Sequence, residues 1–245
     1  MSKLPSKSQN NKSLKNINSS LSEKEEEILE YIGRMYETNL ETTIKRLYLA
    51  NILNCSPAMV NKLLKKLKDK ELIIHKKYGE IKLTKNGFNT ANALIRRHRL
   101  SEALFVNLLG LDASDAHEFA CKFEHILDKK LANQIEEVLN HPEFCPHGHL
   151  IKPTSRTAEI EQSLPLTEFT NNDFVKISQI VNEESTFLKK LAQGGIEVGV
   201  IIRILEKSPI DKTLLIEVDG KIIPIGEETA KNLLGISLRI GGVIK

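Results

Sequence analysis

The sequence predicts a mainly α-helical chain that ends in a small β domain. Three observations carry this. Apolar residues recur at helical spacing through most of the chain up to Leu139. Pro153, Thr154, Ser155, Thr157, Ser163, Pro165 and Thr167 then break the pattern. Beyond them come short runs of Val, Ile and Leu separated by turn residues.

With 245 residues the chain can hold one large domain or two to three small ones. Charged residues make up 27% and hydrophobic residues 40%, as in an ordinary soluble protein. Trp is absent, so the cores must rest on Leu and Ile. The net charge of +3 is too small to argue for nucleic acid unless it is unevenly distributed. Cys55, Cys121 and Cys145 are an odd, widely spaced set, unlike a secreted disulfide framework. No apolar run approaches the roughly 20 residues of a membrane span, and the N-terminus has no apolar signal segment. The expectation is a cytoplasmic protein.

Residues 1–21 are mostly Ser, Asn and Lys and are expected to form a disordered basic tail. Ser22 followed by Glu25 marks a helix start, and Ile28, Tyr31, Ile32 and Met35 give that helix its apolar stripe. Residues 43–53 predict a short second helix. Asn54-Cys55 makes a turn, Ser56 is an N-cap and Pro57 suits the first helical position of a third helix reaching about Lys70. Val60, Leu63, Leu64 and Leu67 are its buried face, and Asn61, Lys62, Lys65, Lys66 and Lys68 its polar one. Residues 72–76 and 81–84 flank Tyr78-Gly79 as a two-stranded hairpin. Helix, helix, turn, helix and hairpin over 22–90 make a winged helix-turn-helix. From Thr43 to Lys85 eleven Lys or Arg face three acids, a local excess of +8. That charge matches the footprint of a surface that binds DNA phosphates.

Residues 91–152 predict a helical unit: a long helix from about Phe88 to Leu109, a second opening at Ala113-Ser114, and a third near Asp128–Leu139. This unit is too thin to complete a core alone, so a homodimer is expected. A linker covers 153–170. Residues 171–245 carry short strands at 173–180, 198–205, 213–218 and 221–225, a helical turn at 183–192 and an Asp219-Gly220 turn signal. They predict a small SH3-like β-barrel.

The chemistry sits in the helical unit. With about 3.6 residues per turn, His117, Cys121 and Glu124 share one helical stripe and His125 sits at its edge. His98 and Glu102 share another, four residues apart. Imidazole, thiol and carboxylate groups are the side chains that bind transition metals. Cys145 and His147 have the look of a zinc half-site, but a structural role in the loop closing the helical unit is the preferred reading. Cys55 reads as packed. The rival readings are a winged-helix regulator that senses redox state or a small molecule through Cys121, and a zinc-dependent hydrolase. The hydrolase lacks an HExxH motif, a nucleophile motif and a Gly-rich phosphate loop.

In order along the chain, Arg97-His98-Arg99-Leu100-x-Glu102, Ala120-Cys121-x-x-Glu124-His125 and Cys145-Pro146-His147-Gly148 resemble the diphtheria-toxin-repressor family of iron- or manganese-dependent transcriptional regulators. The resemblance spans about Glu25 to Ile240, and the C-terminal part is similar to the SH3-like, FeoA-like domain of longer members. It implies a repressor of metal-homeostasis genes, not an enzyme, that binds double-stranded operator DNA as a homodimer when loaded with metal. It implies one metal site from Glu30, Cys121, Glu124 and His125, and an ancillary site from His98, Glu102 and His117. Glu30 replaces the methionine of the toxin repressor itself, and manganese members carry aspartate there. Glu183 aligns with a further ligand from the barrel, whereas Thr186 stands where glutamine is expected. The Cys121 thiolate favours Fe(II), while the hard oxygen of Glu30 leaves Mn(II) as the alternative. Ser56, Pro57, Ala58 and Met59 would form the groove-entering end of the recognition helix. Asn61, Lys62 and Lys65 would project towards DNA, and Lys76 and Lys77 would touch phosphate from the wing. Ala58 and Met59 suit thymine methyl groups.

Overall fold

Local signals place the first helices. In the computed structural model, which describes residues 21–37, 44, 46–75, 80–152 and 163–238, α1 runs Glu23–Glu37. Its start is held by the Ser22 backbone N–H, which donates to Glu25 Oε2 at 2.8 Å. The same carboxylate accepts from Lys70 Nζ at 3.1 Å. Helix α2 spans Arg46–Ile52 and α3 spans Pro57–Asp69. Between them Asn54 takes a positive φ of 45°, which Asn tolerates better than most residues. Ser56 caps α3 by accepting from the Met59 backbone N–H at 3.2 Å. Strands β1 (Ile73–His75) and β2 (Ile81–Leu83) pair antiparallel, Ile73 opposite Leu83. Ile28, Leu29, Ile32, Leu49, Leu64, Leu67 and Leu72 close one core with Ala91 and Leu94. This is the winged-helix arrangement expected of the sequence. The hairpin turn and residues 1–20 of the expected N-terminal tail (1–21) lie outside the described residues, whereas Leu21, expected in that tail, packs against this core.

The residues fall into two units, divided between Ile95 and Arg96. The division lies inside α4, Lys85–Asn107, which starts before and ends slightly short of the predicted span. In the second unit, α5 is Ala113–Phe123 and α6 is Lys129–Val138, capped by Asp128 through the Leu131 N–H at 2.7 Å. Leu100, Ala103, Leu127, Ala132 and Ile151 form its helical core.

The same unit holds a six-stranded antiparallel sheet in the order β3-β8-β4-β5-β6-β7. The strands are β3 Leu164–Pro165, β4 Phe174–Ile180, β5 Ile201–Lys207, β6 Leu214–Val218, β7 Lys221–Ile225 and β8 Leu233–Ser237. Helix α7 (Ser185–Gln193) follows β4, and α8 (Glu227–Lys231) follows β7. Asp219 and Gly220 both take positive φ, 48° and 76°, as a tight hairpin between β6 and β7 requires.

The sheet differs from expectation at both ends. Leu164–Phe169 stands inside the predicted linker, yet β3 pairs with β8, and Leu166 and Phe169 are buried in the sheet core. Neither α8 nor β8 was anticipated, because Leu233-Leu234-Gly235-Ile236-Ser237 is short and interrupted by Gly. Gly235 is needed there, since a side chain would run into Val175 on β4. Strand β5 starts at Ile201 rather than Val198, because Gly199 turns the chain with a φ of 92°.

Candidate metal centre

Helix α4 presents His98 and Glu102 one turn apart, both buried. Helix α5 presents His117 and Cys121 with the same spacing. The helix ends at Phe123, earlier than the 117–125 stripe assumed, but Glu124 keeps helical angles (φ −58°, ψ −32°) and so stays on the donor side. His125 falls in the turn that follows, its Nε2 3.7 Å from Glu124 Oε1.

These side chains form one polar network, in which His98, Glu102, His117 and Glu124 are buried and Cys121 is exposed. His98 Nδ1 lies 2.6 Å from Glu124 Oε2, and His98 Nε2 2.9 Å from Glu102 Oε1. His117 Nδ1 lies 2.8 Å from the same Glu102 oxygen, and Cys121 Sγ 3.6 Å from His117 Nε2. His98, His117 and Cys121 each offer a donor atom within 4.8 Å of the others. The structure thus brings Glu124 and Cys121 of one ligand set implied by the resemblance into contact with His98 and His117 of the other.

A second donor set was missed. The turn Cys145-Pro146-His147-Gly148 is closed by Gly148 N–H to Cys145 O and Cys145 N–H to His149 O, both 2.9 Å. Gly148 takes a φ of 81° and packs against the Ser178 carbonyl, where a side chain has no room. The turn delivers His147 Nδ1 to 3.0 Å from Glu102 Oε1. Donor atoms of Glu102, Cys145, His147 and Glu183 then lie within 4.8 Å of one another. The signal in the sequence is the C-x-H spacing, for which a structural role in the loop closing the helical unit was the expectation.

The electrostatics follow from this crowding. Burial works to raise the Glu102 carboxyl, but His147, His98 and His117 outweigh it and hold it well below the usual carboxylate range. Burial works to lower His147, but Glu102 and Cys145 win and push it up to about 10. Burial works to raise the Cys121 thiol, yet hydrogen bonds from His117 and His98 bring it down to about 6.

The donors fit a divalent transition metal. Glu102 Oε2 and His147 Nε2 are buried without a hydrogen-bond partner among the described residues, an arrangement that native proteins normally avoid. The nitrogen, sulfur and oxygen donors are those borderline metals use.

In the N-terminal unit Glu30 is buried on α1 and accepts from Arg34 Nη2 at 2.6 Å and Nε at 3.1 Å. Pro57, Ala58, Met59, Asn61, Lys62 and Lys65 are exposed on α3, together with its cap Ser56. Arg46 Nη1 donates to Asn61 Oδ1 at 3.0 Å, which leaves the Asn61 amide N–H groups free to face outward. Lys76 and Lys77 lie outside the described residues. Among the described residues no helix is long and apolar enough to cross a membrane.

Three family models match in chain order. Residues 20–81 match the N-terminal DNA binding domain of the iron dependent repressor, and 84–153 its metal binding and dimerisation domain. Residues 164–235 match the FeoA domain. The two repressor models together span more than half of the sequence. The chain belongs to the iron-dependent repressor family.

This is a family of iron- or manganese-dependent transcriptional repressors. The diphtheria toxin repressor of Corynebacterium glutamicum is 25% identical over 190 residues, which cover 72% of this chain and 82% of the relative. The iron-dependent repressor IdeR of Mycobacterium bovis is 30% identical over 122 residues, or 49% of this chain and 53% of IdeR. Among solved structures, ScaR with bound Cd2+ is 27% identical with a TM-score of 0.73, over 87% of this chain and 99% of ScaR. The T. acidophilum IdeR structure, 24% identical with a TM-score of 0.69 over 89% of this chain and 99% of that one, shares the fold.

Proposed function

We propose that this family member is a metal-activated repressor that binds operator DNA as a homodimer and controls metal-homeostasis genes. The observation that carries this reading is the His, Cys and Glu network on α4 and α5, buried but for Cys121, in a chain whose basic α3 is exposed for DNA. Cys121, Glu124 and His125 would hold one metal ion, joined by Glu30 as the family resemblance implies. His98, Glu102 and His117 would serve an ancillary site, to which Cys145, His147 and Glu183 add donors. A bound dication supplies a positive charge that links residues far apart in sequence.

Metal held between Glu30 and the α5 donors would fix the winged helix relative to the dimer. Two recognition helices would then meet successive major grooves. The coupling is reciprocal, so DNA tightens metal binding as metal tightens DNA binding. Exposed Leu108, Leu109, Phe119, Leu131 and Val138 supply apolar surface that a second copy would cover. Fe(II) is the favoured ion, because thiolates at Cys121 and Cys145 suit it better than Mn(II), which the many carboxylates also accommodate.

The test is anaerobic retention of host genomic fragments with chelator, then with Fe(II) or Mn(II) at equal free concentration. Fragments held only with metal are expected, more of them with Fe(II). Equal retention with and without metal would sink the metal switch, and better retention with Mn(II) would overturn the preference for iron.

A further inference from the structure

The Glu183 carboxylate that reaches the Cys145/His147 turn lies against the imidazole of His149. His149 sits two residues past His147 and is buried. Its Nδ1 lies 2.7 Å from Gln179 Nε2 on β4. The amide nitrogen can only donate, so Nδ1 accepts and the ring proton belongs on Nε2. That Nε2–H donates to the Ile180 carbonyl at 2.8 Å, while Nε2 itself lies 3.2 Å from Glu183 Oε1, in close contact without a hydrogen bond. The backbone repeats the connection, since the Ile180 N–H donates to His147 O at 3.0 Å. Gly148 allows it by lying flat against Ser178.

The turn that carries Cys145 and His147 is therefore clamped to the end of β4, three residues before Glu183. We propose that His149 and Gln179 are positioning residues for metal at the Glu102, Cys145, His147 and Glu183 set, with His149 acting through Glu183. The imidazole holds the Ile180 carbonyl and packs against the Glu183 carboxylate, so the segment after β4 brings its ligand to the donors on α4 and the turn in a ready orientation. Partners that orient a ligand in this way are commonly worth about 10- to 100-fold in metal affinity. The inference rests on the proposal that this donor set binds metal.

The experiment titrates Co(II) anaerobically into the full-length chain carrying Cys55→Ser and Cys121→Ser, so that thiolate-to-cobalt absorption reports Cys145 alone. His149→Leu is expected to weaken that binding by about 10- to 100-fold. His149→Gln, whose amide can donate where Nε2–H did, is expected to restore most of it. In a Glu183→Gln background His149→Leu is expected to cost little more. Gln179→Leu, which keeps His149, is expected to weaken binding in the same direction and serves if His149→Leu fails to fold by circular dichroism. Unchanged cobalt affinity in His149→Leu and Gln179→Leu would overturn the proposal. So would a full His149→Leu effect in the Glu183→Gln background, which would make His149 a structural residue only. Absence of thiolate absorption in the chain carrying only Cys55→Ser and Cys121→Ser would instead overturn the donor set, and the proposal with it.

Discussion

Glu102 carries its charge in a place where water cannot reach it, and three imidazoles surround it. His98, His117 and His147 each come within 3.0 Å of the same Oε1. A buried carboxylate without such partners would cost several kcal/mol. The network holds it charged. Glu25 shows the same physics at a simpler site. Burial works to raise its carboxyl, but the Ser22 backbone N–H and Lys70 outweigh this and hold it below the ordinary value. A group depressed in the folded state stabilises the fold above its unfolded pKa, and that stability is lost as pH falls through the folded pKa. Glu25→Gln is therefore expected to be less stable than the natural chain near neutrality. The gap should narrow on acidification below the ordinary carboxylate range. Urea unfolding midpoints at a series of pH values check this, and a gap that stays constant would show that Glu25 acts by packing alone.

In the N-terminal unit α1 packs tightly against α4 at Gly33. A Cβ added at Gly33 would lie 2.8 Å from Ala91 Cβ and 2.9 Å from Ile95 Cδ1. Ala91 cannot yield as a long side chain can, so the helices would have to part. Gly33→Ala is expected to destabilise the fold by about 1–3 kcal/mol, against the small gain Ala gives in an isolated helix. Chemical denaturation measures it, and a stabilised variant would show that α1 and α4 separate freely. At this scale much was legible. Ser56-Pro57 announced the start of α3, and its Leu spacing gave the buried face, because capping and periodicity act within a few residues. Strand β3 was not legible: Leu164-Pro165 is a strand only because β8 lies beside it. The expected linker role of that segment gave way to pairing.

For the molecule as a whole, the proposed switch rests on Glu30, which belongs to the N-terminal unit, and on donors of the second unit. Glu30→Ala is expected to fold normally and to lose metal-dependent DNA retention, while DNA binding with chelator stays at its low basal level. Fluorescence anisotropy with labelled operator fragments would show it. Metal-dependent binding equal to that of the natural chain would remove Glu30 from the tether.

What the sequence determined by itself was local: helix starts and stops, buried stripes, a basic recognition helix, and the types of donor on α4 and α5. Periodicity and capping are short-range, so residues within two turns of each other declare their partners. What only the tertiary structure decided was convergence. His147 was passed over because Glu102 and Glu183 lie dozens of residues to either side of it, and His149 gave no signal of its own. Their meeting depends on a turn held by Gly148 against β4. No local rule encodes that contact, because it appears only when the sheet packs beside the helices.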